Sequence, residues 1–280
     1  MMQNPNPFSD RYSGWDLNGR DRDYIQSLMP FWDWLYRYYF RVQTSGWEKI
    51  PEGQVFIVGS HNGGLAAPDM HMMMYDWFRR FGVDRVAYGL MHSQVSQAIP
   101  WLSQMAVRTG AIMAHPRMAE AAFRSGASVL VYPGGVVDVF RPHRDRHQIC
   151  LNQNTAFVKL ALRWEIPIVP AISWGAHDTL IVLENFYDWA QQLHAWGMPW
   201  PMGLDPLAMP LYLGLPWGIA LGPLPNLPLP ASITTRVLEP IVFERYGIAA
   251  SRDRDYVQCC YEQVRQTMQS GLDQLRRESP

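Results

Sequence analysis

The stretch VFIVGSHNGGLAAPD, Val55 to Asp69, sets the expected fold of this 280-residue chain. It begins with a short uncharged run rich in β-formers, which is typical of a buried strand, and Pro68 followed by Asp69 is typical of the first turn of a helix. Glycine and small residues connect the two, with His61 near the start of the loop. The stretch therefore predicts a strand that passes into a helix through a permissive loop, as in an α/β domain.

The alternation of strand and helix continues along the chain. It predicts a single α/β domain with a central, mostly parallel mixed sheet flanked by helices. Active groups of such sheets lie at the carboxyl ends of strands, so His61 and the turn Pro133-Gly134-Gly135, each after a predicted strand, are expected to share one cleft. The predicted strands are Val55–Gly59, Arg85–Leu90, Ser128–Tyr132 and Ile166–Ile172, and the predicted helices are Pro68–Phe81, Val95–Val107, Arg117–Arg124 and Thr155–Trp164.

The chain is expected to divide into a flexible N-terminus at 1–22, an aromatic amphipathic helix at 23–46, the α/β domain at 47–250 and a C-terminal helix at 251–280. The proline-rich segment from Trp189 to Pro230 is predicted to wrap irregularly over the core. A lipid-facing lip or acyl-chain channel is the alternative interpretation. The C-terminal helix is expected to bury Val257, Tyr261, Val264, Met268, Leu272 and Leu275.

The aromatic helix has two interpretations, and Pro30 is expected to kink it. Its apolar face either packs on the domain core or lies in a bilayer surface, with Arg37 and Arg41 near the headgroups. The spacing of three and four places on that face Leu28, Phe31, Trp32, Leu35 and Tyr39.

The composition excludes several classes of protein. With 24 basic and 25 acidic residues, the chain lacks the excess positive charge that non-specific nucleic-acid binding requires.

Its 3 cysteines, Cys150, Cys259 and Cys260, form no disulfide framework or metal motif, which favours a reducing, cytoplasmic compartment. No uncharged apolar run reaches the ~20 residues of a transmembrane helix, and no signal peptide is recognisable. We therefore expect a soluble protein or a peripheral one on the cytoplasmic side of a membrane, where its 12 tryptophans and 13 tyrosines would suit the interface.

His61 and Asp69 are predicted to act as a general base and its orienting carboxylate. A strand holds the backbone of His61 rigidly, and an anionic Asp69 bonded to the imidazole would fix its tautomer and stabilise the imidazolium. Two alternatives stay open: a structural His61 with Asp69 as a helix cap, or a metal site that includes His71. Residues 69 and 71 lie about 200° apart around a helix, which disfavours the metal site. No metal is expected.

The turn Pro133-Gly134-Gly135 is the second candidate element. Its glycines leave backbone N–H groups unobstructed, so that they can bind a carbonyl or phosphate oxygen. Arg141, Arg144 and Arg146 follow, and they either belong to a solvated loop or hold an anionic donor such as a phosphopantetheine thioester. The predicted oxyanion- and donor-binding residues are Pro133, Gly134, Gly135 and Arg141.

Together these segments resemble the lysophospholipid acyltransferase superfamily, whose members transfer fatty acyl groups from coenzyme A or acyl carrier protein to lipid hydroxyls. The likeness covers about Trp47 to Phe243 and includes, in the expected order, GWEKIPEGQVFIVGSHNGG, GAIMAHPRMAEAAFRSGASVLVYPGGVVDVFRP and FVKLALRWEIPIVPAIS. The Pro-Gly-Gly form is most similar to the branch of monoacylglycerol and diacylglycerol acyltransferases. The resemblance implies an αβ domain attached to a membrane surface, with an acyl thioester as co-substrate and no further cofactor.

The resemblance also implies roles for single residues. His61 matches the catalytic histidine and Asp69 its acidic partner, although the usual spacing of the superfamily would place the acid at Ala66. Asp138 matches an acidic position that often follows Pro-Gly-Gly in this branch.

The resemblance bears on the acceptor as well. Phosphate-acceptor members carry Pro-Glu-Gly-Thr-Arg where this chain has PGGVV, so that Gly134 replaces the glutamate and Val137 the arginine. The loss of that cation favours a neutral acceptor, unless Arg141 substitutes for it.

The expected reaction is direct transfer of a fatty acyl group from acyl-CoA or acyl carrier protein to the hydroxyl of a neutral lipid, such as a mono- or diacylglycerol or a long-chain alcohol. His61 would remove the hydroxyl proton, and the N–H groups of Gly134 and Gly135 would stabilise the oxyanion. The alternatives are a lysophospholipid or glycerol-phosphate acyltransferase and a non-catalytic lipid-binding module. The expected partners are the acyl donor, a membrane lipid acceptor and the membrane surface, and no nucleic acid.

Overall fold

The computed structural model describes residues 12–93, 100–200 and 205–278. Its strands are β1 (Gln43–Ser45), β2 (Phe56–Gly59), β3 (Ala87–Met91), β4 (Ala111–Met113), β5 (Ser128–Val131), β6 (Ile168–Trp174), β7 (Ile181–Asn185), β8 (Pro210–Gly214), β9 (Gly218–Leu221) and β10 (Thr234–Val237). Its α-helices are α1 (Arg22–Trp34), α2 (Pro68–Phe81), α3 (Pro100–Arg108), α4 (Pro116–Arg124), α5 (Gly135–Val139), α6 (Ala156–Trp164), α7 (Tyr187–Ala195), α8 (Gly247–Arg252) and α9 (Arg254–Glu278).

Within the described ranges, seven of the strands form one sheet in the order β1-β10-β6-β2-β5-β3-β4. The strands from β6 to β4 in this order run parallel, whereas β10 pairs antiparallel with β6 and parallel with β1. The predicted α/β class with a central, mostly parallel mixed sheet is confirmed. Because β2 lies between β5 and β6 and runs parallel to both, the loops that follow these strands meet at one edge of the sheet.

Helices cover both faces of this sheet. On one face, α4, α6 and α9 contribute buried side chains that include Phe123, Phe157 and Met268. On the other face, α1 and α2 contribute Trp32 and Trp77. Burial on both faces explains why β2 and β5 are buried at every position instead of alternating.

The predicted core elements agree with the observed ones to within about two residues at most ends. Helix α2 has the predicted bounds, Pro68–Phe81. Helix α9 buries the apolar positions that its periodicity predicted and places Cys259 and Cys260 in exposed and buried positions, respectively. Of the helix predicted at 95–107, residues 95–99 lie outside the described residues, and α3 covers the rest. The limits of the four predicted parts of the chain stay a prediction.

The N-terminal helix packs on the domain core through most of the predicted face. Helix α1 continues through Pro30 and buries Ile25 and Trp32, and the π-helical turn Leu35–Tyr39 that follows it buries Tyr36. Phe31, which the spacing places on the packing face, is 56% exposed. The other four predicted positions face the core: Trp32 is buried, and the partly buried side chains packed against the same cluster include Leu28, Leu35 and Tyr39. Among the described residues, no helix is long and apolar enough to cross a membrane.

The proline-rich region contributes two strands to a second sheet that the sequence did not predict. In the described part of this region, β8 lies between β7 and β9 and pairs antiparallel with both. Its inner face packs on Phe140 and Leu180 through the buried Val182 and Tyr212. The prediction of an irregular wrap is therefore wrong for β8 and β9. Proline is tolerated there because Pro210 begins a strand, where a missing N–H does least damage to a sheet.

Candidate active site

The loops after β2, β5 and β6 carry the candidate site at the carboxyl edge of the main sheet. The loop after β2 carries His61, and the turn after β5 is Pro133-Gly134-Gly135. The 3₁₀ turn Ala176–Thr179 after β6 adds His177. The two elements that the sequence placed in one cleft therefore follow neighbouring parallel strands, which pair at Val58 and Val131.

His61 is held through both its backbone and its ring. Its backbone N–H donates to Asp138 Oδ2 at 2.5 Å, and its imidazole stacks on Tyr132 with the ring centroids 4.1 Å apart. Its Nδ1 is buried and has no hydrogen-bond partner within the described part of the chain. Burial lowers the pKa of His61 to about 3, with a smaller contribution from His71, so the imidazole is neutral at about pH 7.

Asp69 lies buried in the first turn of α2. Its Oδ1 accepts a hydrogen bond from the Met70 N–H at 2.8 Å, and its Oδ2 accepts one from Asn62 Nδ2 at 3.1 Å. Burial raises the pKa of Asp69 to about 8, although both hydrogen bonds act in the opposite direction. In this arrangement of the described residues Asp69 is neutral at about pH 7 and makes no hydrogen bond with His61 Nδ1, so their pairing stays a prediction.

Asp138 and Arg141 form a buried ion pair that joins the turn after β5 to the loop after β2. Arg141 Nη1 donates to Asp138, and Ser60 Oγ donates to the same carboxylate at 3.1 Å, in addition to the backbone of His61. Burial raises the pKa of Asp138 to about 6, and the opposing effect of Arg141 and the other donors keeps the carboxylate ionised at about pH 7. The backbone of His61 is therefore tied to an anion within the protein.

Asn62 and His177 extend this ion pair across the edge of the sheet. Arg141 Nη2 donates to Asn62 Oδ1 at 3.3 Å and to His177 Nε2 at 2.6 Å. Because Asn62 also donates to Asp69, its amide connects Arg141 to the predicted acidic partner. Burial lowers the pKa of His177 well below its usual value, with Arg141 as the next cause, so His177 accepts as a neutral imidazole.

Sequence reasoning missed Asn62, Tyr132 and His177. The rule that placed His61 in the cleft also applies to His177, because it follows the predicted strand Ile166–Ile172 shortly after its carboxyl end. Asn62 had no such signal, since its role comes from contacts with residues distant in the chain.

The arginines after the turn contact protein groups. Arg141 is buried against Asp138, Asn62 and His177, so its guanidinium belongs to the framework of the site and not to an open anion-binding surface. Arg144 pairs with Glu184 through two hydrogen bonds at 2.7 Å and 3.0 Å. The role of Arg141 in binding the acyl donor stays a prediction, because its guanidinium is bonded to these protein groups.

Close packing explains the glycines in both loops. Gly63 and Gly64 have φ angles of +81° and +69°, and a Cβ on Gly64 would lie 2.4 Å from Leu180 Cδ2. A Cβ on Gly134 would lie 2.3 Å from the Cys150 carbonyl oxygen. The glycines therefore let the two loops approach neighbouring segments of the fold.

The predicted oxyanion donors lie at the start of α5, in the turn after β5. The Gly135 N–H donates to the Tyr132 carbonyl oxygen at 3.4 Å, near the upper limit for a hydrogen bond. Val137, at the position of the arginine in the phosphate-acceptor pattern, is 48% exposed and brings no charge.

The alternative metal site has no support in the described ranges, where no three His, Cys, Asp or Glu side chains are placed to hold a metal ion. His71 Nδ1 instead contacts the Ala67 carbonyl oxygen at 3.0 Å.

Comparison with known proteins matches this chain to a family model described as diacylglycerol acyltransferase over residues 16–263. Uncharacterised proteins of Mycobacterium tuberculosis and Mycobacterium bovis are each 28% identical over 261 residues, which is 89% of this chain and 65% of theirs. A protein of Mycobacterium leprae is 25% identical over 260 residues, 89% of this chain and 64% of that protein. The chain thus spans slightly less than two thirds of the length of these relatives.

One solved structure has a similar fold. The 1-acyl-sn-glycerophosphate acyltransferase PlsC of Thermotoga maritima aligns with a TM-score of 0.50 and 14% identity, covering 90% of this chain and 79% of its own. At this identity the likeness concerns the arrangement of helices and strands.

Proposed function

The chain belongs to the diacylglycerol acyltransferase family, and on this premise we propose that it transfers a fatty acyl group from an acyl thioester to the hydroxyl of a neutral lipid alcohol. The observation that carries the proposal is the setting of His61. A neutral imidazole, fixed by the bond from its backbone to Asp138 and by the Tyr132 ring, stands at the carboxyl end of the central strand β2. A neutral imidazole is the form that a general base requires.

In the proposed reaction, His61 takes the proton of the acceptor hydroxyl while the hydroxyl oxygen forms a bond to the thioester carbonyl carbon. Backbone N–H groups of Gly134 and Gly135 stabilise the oxyanion. The Gly135 N–H would give up its long hydrogen bond to the Tyr132 carbonyl oxygen to do so. The C–S bond then breaks, and the leaving thiolate takes the proton from the imidazolium. The donor is acyl-CoA or an acyl carrier protein thioester, and no protein nucleophile takes part.

Asp69 is the proposed partner of the buried His61 Nδ1. A bond from Nδ1–H to the carboxylate would hold the tautomer in which Nε2 accepts the proton. It would also lower the pKa of Asp69 and raise that of His61, toward the range that suits a general base. Asn62 donates to Asp69, and this bond would hold the carboxyl group of Asp69 beside the loop that carries His61.

The preference for a neutral acceptor rests on the surroundings of the turn after β5. Val137 brings no cation, Arg141 is engaged by Asp138, and Arg144 is paired with Glu184. A site for a glycerol phosphate would need a cation that remains available to the phosphate. We propose in addition that the protein meets its lipid substrates at a membrane surface.

The test is product analysis by mass spectrometry. The wild type and the variants His61→Ala and His71→Ala would be incubated with acyl-CoA or acyl carrier protein thioester and a panel of neutral and phosphorylated lipid alcohols. We expect new ester on a neutral alcohol from the wild type and a loss of about 10³-fold or more in the His61→Ala variant, while His71→Ala, at a half-buried histidine on α2, keeps most of the activity.

Other products would overturn parts of the proposal. Ester on lysophosphatidate but not on a neutral alcohol would assign a phosphorylated acceptor. Equal activity of the wild type and His61→Ala would exclude His61 as the base. Lipid binding without turnover of any donor, unchanged by the substitution, would identify a lipid-binding module.

A further inference from the structure

We propose that the outer face of the small sheet β7–β8–β9 docks the protein on a lipid surface, through insertion of apolar side chains and not through attraction to charged headgroups. The choice of a lipid as the partner rests on the proposed function. The surface itself lies outside the candidate active site.

The small sheet is fixed to the domain by its inner face. Val182 of β7 and Tyr212 of β8 are buried against Phe140 and Leu180. Because successive side chains of a strand point to opposite faces, the neighbours of these buried residues face outward. The inner contacts therefore hold the outer face in a defined orientation.

The outer face is largely apolar where an exposed sheet face is normally polar, and its charged residue Glu184 of β7, opposite Leu211, is paired with Arg144. Leu213 of β8 pairs with Ile181 of β7 on one side and with Ile219 of β9 on the other, and Leu211 pairs with Leu221. Ile219 is 72% exposed. The cross-strand pairs make these side chains a contiguous patch, and contiguous exposed apolar patches mark interaction sites.

The charge pattern favours lipid over a protein partner. No Asp, Glu, Lys, Arg or His occurs from Pro206 to Thr235, the segment that contains β8 and β9. Docking to anionic headgroups uses clusters of lysine and arginine, and protein interfaces have a polar rim, whereas the hydrocarbon region of a lipid surface matches an uncharged patch. The partner that fits this surface is therefore an uncharged or zwitterionic lipid surface.

Exposed tryptophans accompany the patch. Trp217 lies in the turn between β8 and β9 with its Nε1 donating to the Pro225 carbonyl oxygen at 2.7 Å, and Trp189 and Trp196 are exposed on and just after α7. Indole rings favour the boundary between hydrocarbon and headgroups because they are apolar with one polar atom. Their exposure on elements next to the sheet supports the same partner.

The sheet is connected to the loop of His61. Leu180, which packs under the sheet, lies against Gly64 of that loop, and the Leu229 N–H donates to the Thr179 carbonyl oxygen at 2.8 Å. A lipid surface that contacts β8 and β9 would thus lie on an element that packs directly against the candidate active site.

The test is flotation with vesicles of phosphatidylcholine alone, using the full chain and no acyl donor. Ile219→Asp is compared with the control Val242→Asp. Val242 is 69% exposed, and it follows Ile241, which pairs with Ile168 at the start of β6 and therefore lies away from the small sheet. We expect binding to weaken about tenfold or more in Ile219→Asp and less than about twofold in Val242→Asp. Binding of the wild type should change less than about twofold between about 0.05 M and 0.5 M NaCl.

Several outcomes would overturn the inference. These are equal weakening in both variants, binding only to vesicles with phosphatidylserine and lost in salt, or a wild-type dimer that Ile219→Asp converts to a monomer without a change in vesicle binding. Leu221→Gln, which removes no buried side chain, repeats the test if Ile219→Asp changes the thermal unfolding temperature. Because no turnover is measured, failure of the proposed acyl transfer would leave the binding result interpretable.

Discussion

At the residue scale, His61 and Asp69 show opposite pKa shifts that have the same main cause. Burial disfavours the charged form of each, so the pKa of His61 falls to about 3 and that of Asp69 rises to about 8. Each shift couples folding to pH, because the folded and unfolded states bind different numbers of protons. The two groups therefore change the free energy of unfolding in opposite directions.

His61 should destabilise the fold as the pH falls. Between pH 6.5 and about 3 the unfolded imidazole binds a proton that the folded one does not, so the contribution of His61 is lost as the pH falls. The variant His61→Gln has no titratable imidazole at this position and therefore serves as the reference. Urea unfolding from about pH 7.5 to 4.5 should show the wild type losing up to about 1.4 kcal/mol per pH unit relative to the variant below pH 6.5.

Asp69→Asn is the matched counterpart with the opposite sign. Above its unfolded pKa of 3.8 the unfolded carboxyl loses a proton that the folded one keeps, up to a pKa of about 8. The wild type should therefore lose stability relative to Asp69→Asn as the pH rises through this range. A difference that does not depend on pH, for either variant, would contradict the neutral state assigned to that side chain.

At the element scale, the turn after β5 requires a residue without a side chain. A Cβ at Gly134 would overlap the Cys150 carbonyl oxygen and approach Asp138 Cβ to 2.4 Å, and neither neighbour is the flexible end of a side chain. A glutamate at this position, as in the phosphate-acceptor pattern, would meet the same clash. Close packing therefore requires a glycine at this position, whatever the acceptor of the reaction.

Gly134→Ala should destabilise the protein by about 1–3 kcal/mol, because the backbone of two segments must shift. Gly89→Ala on β3 is the control, since a Cβ there would meet nothing within 4 Å. The midpoints of urea unfolding give the stability of the Gly134→Ala and Gly89→Ala variants. Equal midpoints for the two variants would mean that the turn relaxes without cost.

At the scale of the whole molecule, the C-terminal helix completes the core. Helix α9 buries Tyr261, Val264 and Met268 in the same cluster as Phe56 of β2 and Val129 of β5. Because α9 shares this core with the sheet, it should unfold together with the sheet in one transition.

Met268→Ala tests this expectation. The side chain is fully buried, so its loss should cost about 2–5 kcal/mol. Gln266→Ala, on the exposed side of the same helix, should change the free energy of unfolding by less than about 0.5 kcal/mol. Unfolding is followed by circular dichroism and by tryptophan fluorescence. Transitions that do not coincide in Met268→Ala would show that α9 is a separate unit.

The sequence predicts most of the α/β framework because hydrophobic periodicity is a local property. The bounds of α2 and the buried face of α9 follow from it directly, whereas the exposure of Phe31 on α1 does not, since exposure depends on which distant segments pack against the helix. The small sheet was missed because β8 and β9 are short and lie in a proline-rich segment, so neither strand shows a clear period.

The sequence by itself determined the α/β class, the family and the position of His61 after a strand, with Pro133-Gly134-Gly135 after another strand. Only the tertiary structure decided the environment of that histidine. Ser60 and Asp138 are 78 positions apart, and Asn62 and Arg141 are 79 apart, yet both pairs form hydrogen bonds. The physical reason is that secondary structure follows from neighbours in the chain, whereas burial, pKa shifts and ion pairs depend on which distant segments the sheet brings together.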